Sequence, residues 1–311
     1  MLYSSEKSIL QEISNSFLKE HGIKLFIKRD DLIDNEVSGN KWRKLKYNIE
    51  QALARKNKTI VTFGGAYSNH LLATASACNK VGINSVGIVR GDELNISSNP
   101  TLKRCSEFGM TLKFIPRSEY TLKNDSMYLQ DLHDEFENSF IVPEGGANFY
   151  GMIGCQDIIK EINEDFEHVF ISQGTTTTSC GVLMSIPDDS VLHVVPALKG
   201  FDSLLEMRNL LNYSIFDEEL TEELLGKVEV HGEAHFGGYG KYTSELLKFI
   251  QEFHKEFRIP LDPIYTGKVM FELFQYVKSN KLKDTSVLFI HTGGVQGTKS
   301  VEDKEGIQLY E

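Results

Sequence analysis

Between residues 59 and 291 the sequence keeps switching from short runs rich in β-branched residues to longer stretches with helical spacing of apolar residues. This alternation constrains the fold more than any other feature. A strand, a helix and a second strand in succession return the chain parallel to its start, so repetition builds a parallel sheet covered by helices. Residues 59–63, 85–89, 111–115 and 140–142 read as strands, with helices over 71–81, 99–108 and 121–136 between them. Glu144-Gly145-Gly146-Ala147-Asn148 breaks the series. It resumes with helix 151–162, strand 168–172, a short helix over 180–185, strand 191–195 and helix 201–211. Strand 228–230, helices 242–257 and 267–278 and strand 286–291 close it. The 311 residues suit about two domains. With no repeat and no low-complexity linker, two packed α/β domains are expected, with a ligand in their cleft.

Charge narrows the partners. Lysine and arginine total 33 against 44 aspartates and glutamates, a net charge of −11. An acidic chain does not suit nucleic-acid backbones, although one local basic pocket can still hold a small anion. No apolar run approaches the ~18 residues a membrane span needs. The opening segment MLYSSEKSILQEISNS has neither a basic head nor an apolar signal core. Four cysteines without a CxxC pair are no disulfide framework. The expectation is a soluble cytoplasmic protein with reduced thiols.

Five segments carry polar chemistry at places where an α/β fold binds ligands. Ser38-Gly39-Asn40-Lys41-Trp42-Arg43-Lys44-Leu45-Lys46 holds four cations in six residues. Taken alone, the run reads as a solvated basic helix face. Its functional alternative is a lysine at a helix start, its amine made nucleophilic by the helix dipole and neighbouring cations. Gly64-Gly65-Ala66-Tyr67-Ser68-Asn69-His70 joins a strand to a helix, either as a plain cap or as a ligand loop offering hydroxyl, amide and imidazole. Gly174-Thr175-Thr176-Thr177-Thr178-Ser179-Cys180-Gly181 combines helix-start N–H groups with a row of hydroxyls, which favours an anion cradle over a surface loop.

His231-Gly232-Glu233-Ala234-His235, read as a strand, would put His231, Glu233 and His235 on one face. Two imidazoles and a carboxylate can bind iron or zinc, so a metal-dependent hydrolase is the rival from another class. The spacing matches no established metal motif, and a half-exposed polar face is the preferred reading, with no metal expected. The fifth pair, Pro263-Ile264-Tyr265-Thr266-Gly267-Lys268 and His291-Thr292-Gly293-Gly294, is generic in isolation.

In their order along the chain the motifs are specific: KRDD, SGNKWRKL, GGAYSNH, GGAN, the threonine loop, Gly238-Tyr239-Gly240, DPIYTGK and HTGG. From Ile27 to Gly294 this order resembles the pyridoxal-phosphate (PLP) family that contains D-cysteine desulfhydrase and 1-aminocyclopropane-1-carboxylate (ACC) deaminase. The resemblance implies the fold type II, tryptophan-synthase-β-like architecture: two three-layer α/β domains with mostly parallel sheets, and a homodimer. The large domain would comprise 1–45 and 149–311, with 46–148 inserted as the small domain.

The resemblance also implies site roles. Lys41 would hold PLP covalently, with Asn69 at the ring's 3-oxygen. Gly174, Thr175, Thr176, Thr177 and Thr178 would bind the phosphate, with Lys44 nearby. Thr292 would face the pyridine nitrogen. Ser68, Asn69 and His70 would meet the substrate, and Tyr239 and Tyr265 match the family's active-site tyrosines.

The chain departs from the family where Thr176 and Thr177 replace glycines and where GEAHFGGYGKY surrounds Tyr239. It departs from ACC deaminases at Thr266, where they carry a glutamate, at Thr292, and at His70, where they carry glutamine. These last positions side with the desulfhydrase branch. The implied reaction is β-elimination of D-cysteine or a related β-substituted D-amino acid to pyruvate, ammonia and sulfide, with ACC ring opening to 2-oxobutanoate as the alternative.

Overall fold

A computed structural model describes residues 5–37, 39–279 and 281–310, and Ser38 at the head of the basic motif lies outside the described residues. Ahead of the alternating series lie β1 (Leu10–Ile13), α1 (Ser16–Glu20), β2 (Lys24–Lys28) and α2 (Asn40–Ala54). The series itself begins with β3 (Thr59–Gly64), α3 (Asn69–Val81), β4 (Asn84–Arg90), α4 (Pro100–Glu107) and β5 (Thr111–Ile115). Then follow α5 (Arg117–Tyr120), α6 (Ser126–Glu135), β6 (Ser139–Val142), α7 (Phe149–Lys160), β7 (His168–Gln173), α8 (Thr177–Leu183) and β8 (Val191–Pro196). The chain continues through α9 (Ser203–Ile215), α10 (Glu218–Leu225), β9 (Val228–Val230), α11 (Ser244–Phe257), α12 (Thr266–Lys278), β10 (Ser286–Ile290) and α13 (Thr298–Glu305).

The chain forms two compact units, one of Asp34–Cys155 and one of Ser5–Ile33 with residues 156–310. The units part at 33/34 and 155/156, where 45/46 and 148/149 were expected. Residue 45 falls inside α2, a continuous helix that belongs entirely to the smaller unit.

The smaller unit is a four-stranded parallel sheet in the order β5-β4-β3-β6. Its central strands β3 and β4 are buried on both faces, as helix-covered parallel strands must be. Val61, Phe63, Val86 and Ile88 are register neighbours, so they share one face, where Ile115, Tyr120 and Leu132 pack. Val89 lies among Leu71, Ala75, Leu102, Cys105 and Met110 in a second cluster. Side-chain oxygens of Ser68, Asn99 and Asp125 accept N–H groups at the starts of α3, α4 and α6. The helix expected over 121–136 starts late, as α6 from Ser126, because residues 121–124 are turn and Asp125 caps the helix.

The larger unit holds a six-stranded sheet ordered β1-β2-β10-β7-β8-β9, parallel apart from the antiparallel β1–β2 pair. Leu25, Val287, Ile27, Phe289 and Phe170 form one apolar face through their registers. That face packs with Leu246, Ile250 and Phe253 of α11 and Val269, Met270, Leu273 and Val277 of α12. All four cysteines are buried thiols rather than disulfide partners. No helix among the described residues is long and apolar enough to cross a membrane.

Each sheet reverses its winding direction once. In the smaller unit β3 leads outward to β4 and β5, and β6 returns to the other side of β3. In the larger unit β7 leads to β8 and β9, and β10 returns to the other side of β7. Open parallel sheets bind ligands at the carboxyl ends of the strands flanking such a reversal. The loops there are GGAYSNH after β3, EGGAN after β6, the threonine loop after β7 and HTGG after β10.

Candidate active site

The candidate residues divide between the units. In the smaller unit Lys41 is the second residue of α2. Gly39 precedes the helix at φ 60°, ψ −136°, a left-handed conformation that glycine alone adopts cheaply. The Lys41 ammonium donates to Asn40 Oδ1 at 2.9 Å. The solvated basic face is not found: Arg43 and Lys44 are buried, and Lys41 and Lys46 are half-buried. Burial follows because the Arg43 carbonyl meets Gly154, and the Arg43 guanidinium lies 5.2 Å from the Trp42 ring centroid.

Ser68, Asn69 and His70 start α3. The Ser68 hydroxyl caps the helix by accepting from Leu71 N–H at 3.2 Å, and its own proton remains available to a ligand. His70 is buried. The Thr62 hydroxyl donates to the Val142 carbonyl at 2.8 Å, so its oxygen accepts the proton on His70 Nε2 at 2.9 Å. His70 Nδ1 is therefore a bare acceptor, buried and without a hydrogen-bond partner among the described residues. Burial pushes the imidazole down to about 3, and the charges of Lys41 and Lys44 push the same way.

In the larger unit the threonine loop joins β7 to α8. Thr175 is exposed, whereas Thr176, Thr177 and Thr178 are buried. Thr176 has φ −76°, ψ −8°, an ordinary right-handed conformation, so the backbone there does not require the glycine that the resemblance leads one to expect. Thr177 Oγ1 is a buried hydroxyl with no partner among the described residues. Adjacent strands β7 and β10 are tied at their ends by a 2.9 Å bond between the hydroxyls of Ser172 and Thr292.

Tyr265 covers Gly174. A Cβ built on Gly174 would lie 3.1 Å from the Tyr265 ring, so a larger residue would displace the ring. Tyr239 and Tyr265 meet edge to face, with ring centroids 6.1 Å apart. Burial raises the Tyr265 phenol well above its ordinary value, helped by Tyr239 and Asp262, so it stays protonated. Tyr239 itself is exposed.

Three contributors were not visible as site residues in the sequence. Asp262 accepts from the N–H groups of Ile264, Tyr265 and Thr266 and from the Thr266 hydroxyl, which fixes the start of α12. Lys268 is buried and donates to the carbonyls of His235 and Gly238, holding the turn before Tyr239. Burial lowers its amine to about 8. Ser172 is the third. The motif DPIYTGK already contains Asp262 and Lys268, and a lysine just after a glycine was the available signal.

The HGEAH strand is a correction. Strand β9 ends at Val230, and residues 232–237 are turn, with Phe236, Gly237 and Gly238 all at positive φ. His231 is buried while Glu233 is exposed, and His235 Nδ1 accepts from Gly237 N–H. These three side chains form no common ligand face.

Residues 10–196 match the family model for pyridoxal-phosphate-dependent enzymes. A Pyrococcus horikoshii protein provisionally named a 1-aminocyclopropane-1-carboxylate deaminase is 31% identical over 298 residues, covering 92% of this chain and 89% of that protein. A mitochondrial bifunctional D-cysteine desulfhydrase/1-aminocyclopropane-1-carboxylate deaminase of Arabidopsis thaliana is 28% identical, covering 89% and 74% respectively. The crystal structure of an ACC deaminase homologue superposes with a TM-score of 0.77 at 27% identity, covering 96% of this chain and 92% of that one. The order of motifs, the two mostly parallel sheets and these relatives agree: the chain is a fold type II pyridoxal-phosphate-dependent enzyme and belongs to the ACC deaminase/D-cysteine desulfhydrase family.

Proposed function

We propose that this PLP-dependent lyase or deaminase of small amino acids catalyses β-elimination on D-cysteine or a related β-substituted D-amino acid. The residues suit the cofactor. Hydroxyls and N–H groups of the threonine loop match a phosphate, and the unpartnered Thr177 hydroxyl is a buried donor without an internal use. In this reading Lys41 attaches the cofactor, and Gly174, Thr175, Thr176, Thr177 and Thr178 hold its phosphate, with Lys44 adding positive charge. Asn69 meets the 3-oxygen and Thr292 the ring nitrogen.

Bound PLP supplies an electron sink for charge left at the substrate Cα when a bond there breaks. The Lys41 amine takes the Cα proton. The C–S bond breaks, the thiolate leaves with the bond's electron pair, and the Tyr265 phenol gives it a proton. Ser68 and Asn69 orient the substrate carboxylate, with His70 beside them as a neutral acceptor. Released aminoacrylate takes up water to give pyruvate and ammonia.

The observation that carries this choice is the hydroxyl pair Ser172–Thr292 at the end of β10. A hydroxyl beside the ring nitrogen, in place of a carboxylate, holds that nitrogen's proton less firmly and makes the sink shallower. Expelling thiolate tolerates a shallow sink because the leaving group carries the electrons away. Opening a cyclopropane demands more. Thr266 adds no charge, since its hydroxyl is engaged with Asp262.

ACC ring opening is the second reading, because the chain retains Ser68, Tyr239 and Tyr265 and its relatives include proteins named for that activity. Comparing kcat/KM for D-cysteine, L-cysteine and ACC, with pyruvate and 2-oxobutanoate assayed separately, decides between them. D-Cysteine is expected to exceed ACC by at least two orders of magnitude, about 3 kcal/mol in the barrier. Efficient 2-oxobutanoate release from ACC would reverse the ranking.

A further inference from the structure

Outside the PLP residues, the larger unit contains a line of three hydrogen-bonded histidines ending on a carboxylate. His193 pairs in register with Phe170 on β7 and with Glu229 on β9, so the three side chains share one face of the sheet. The His193 ring stacks on Phe170 at 4.1 Å and 3°. His231, just past β9, brings Nε2 to 3.0 Å from His193 Nδ1. Glu229 Oε2 lies 3.7 Å from the same His193 nitrogen. One nitrogen from each histidine and one Glu229 oxygen all fall within 4.8 Å of one another.

We propose that His193, Glu229 and His231 form a binding site for one divalent transition-metal ion of the zinc type. Tetrahedral coordination at about 2.0–2.2 Å spaces ligand atoms roughly 3.3 Å apart, and the 3.0 and 3.7 Å separations bracket that value. Two imidazoles favour zinc, cobalt or nickel over calcium or magnesium.

Each ligand is also held from behind, as metal ligands are. His231 Nδ1–H donates to Glu272 Oε1 at 2.9 Å, and the Tyr276 phenol donates to Glu229 Oε1 at 2.6 Å. His193 Nε2 lies 3.0 Å from His168 Nδ1. Both imidazole ligands are buried while Glu229 is half-buried, so an ion would enter beside the carboxylate.

The protons balance. Without the ion, His231 donates to Glu272, His193 Nδ1–H donates to His231, and His168 Nδ1–H donates to His193. An ion takes the lone pairs of His193 Nδ1 and His231 Nε2. The His193 proton then resides on Nε2 and donates to His168 Nδ1, whose own proton moves to Nε2. All three rings remain neutral and no proton is released. The ion would fasten the three-residue edge strand β9 to β8, with α12 backing both through Glu272 and Tyr276. Of the HGEAH residues only His231 takes part.

The test uses the PLP-loaded full chain, stripped of metal and titrated with zinc chloride by calorimetry and by thermal unfolding, without substrate. One zinc per chain is expected, with a rise in melting temperature. Glu229→Gln and His231→Gln should each weaken binding at least tenfold and remove the thermal shift, and Glu272→Gln should weaken it by about 10–100-fold. His133→Gln, in the other unit, should leave binding unchanged. Absence of zinc binding, or equal affinity in Glu229→Gln and the unmodified chain, overturns the site. Glu229→Gln decides the matter if the buried His231→Gln chain fails to fold.

Discussion

His70 is a buried imidazole beside the charges of Lys41 and Lys44, and that environment keeps it neutral. Its pKa falls from 6.5 to about 3 on folding. The unfolded chain therefore takes up a proton that the folded chain refuses, and the stability from this group is complete above pH 6.5 and lost as pH falls toward 3. Urea unfolding at pH 7 and pH 4.5 should show a loss about 2–3 kcal/mol larger for the unmodified chain than for His70→Gln; equal losses would contradict the assignment. Tyr265 makes a complementary prediction. A phenol held protonated acts as an acid, so Tyr265→Phe should lower kcat for D-cysteine by roughly 10²–10⁴. β-Chloro-D-alanine, whose chloride leaves without a proton, should be affected far less. Equal losses for both substrates would assign Tyr265 to positioning instead.

At the level of elements, the start of α12 depends on the Asp262 carboxylate and the Thr266 hydroxyl. Thr266→Val keeps the shape but removes the 2.6 Å donor to Asp262 and the 2.9 Å acceptor for Asp262 N–H. Burying those unpaired groups should cost about 2–4 kcal/mol, read as a lower urea midpoint with an unchanged slope. No change in midpoint would show that water replaces the hydroxyl. The same elements show what could be read from the sequence. Strands β3, β4, β7, β8 and β10 were legible because they are buried on both faces and their apolar runs are nearly unbroken. Strands β1 and β2 were not: LQEI and KLFIK mix charge with apolar residues, and β2 gains its parallel partner only from residues 286–290. The polar loops after β3, β7 and β10 were visible as composition. Ser172, Asp262 and Lys268 were not, because their roles are hydrogen bonds to groups that only folding brings near. The HGEAH strand failed because the chain leaves β9 at Val230 and enters a turn from Gly232, which runs on to Phe236, Gly237 and Gly238 at positive φ.

Across the whole molecule, Asp34–Cys155 is one continuous stretch with its own four-stranded sheet and its own apolar clusters. Expressed alone, residues 34–155 should give a helical and sheet circular-dichroism spectrum and a cooperative melt; a non-cooperative transition would show that this unit needs the rest of the chain. The larger unit has its own sheet and core but is assembled from two separate stretches of sequence. Its sheet order β1-β2-β10-β7-β8-β9 makes the last strand in the chain the link between the first two strands and the other three. On the ribosome, β1 and β2 must therefore wait, lacking that neighbour, until residues 286–290 have been made. A message truncated shortly before residue 286 would yield a chain whose larger sheet cannot be joined, however complete the rest. Synthesis of residues 286–290 thus closes the sheet, and a nascent chain that lacks them cannot bring β1 and β2 into it.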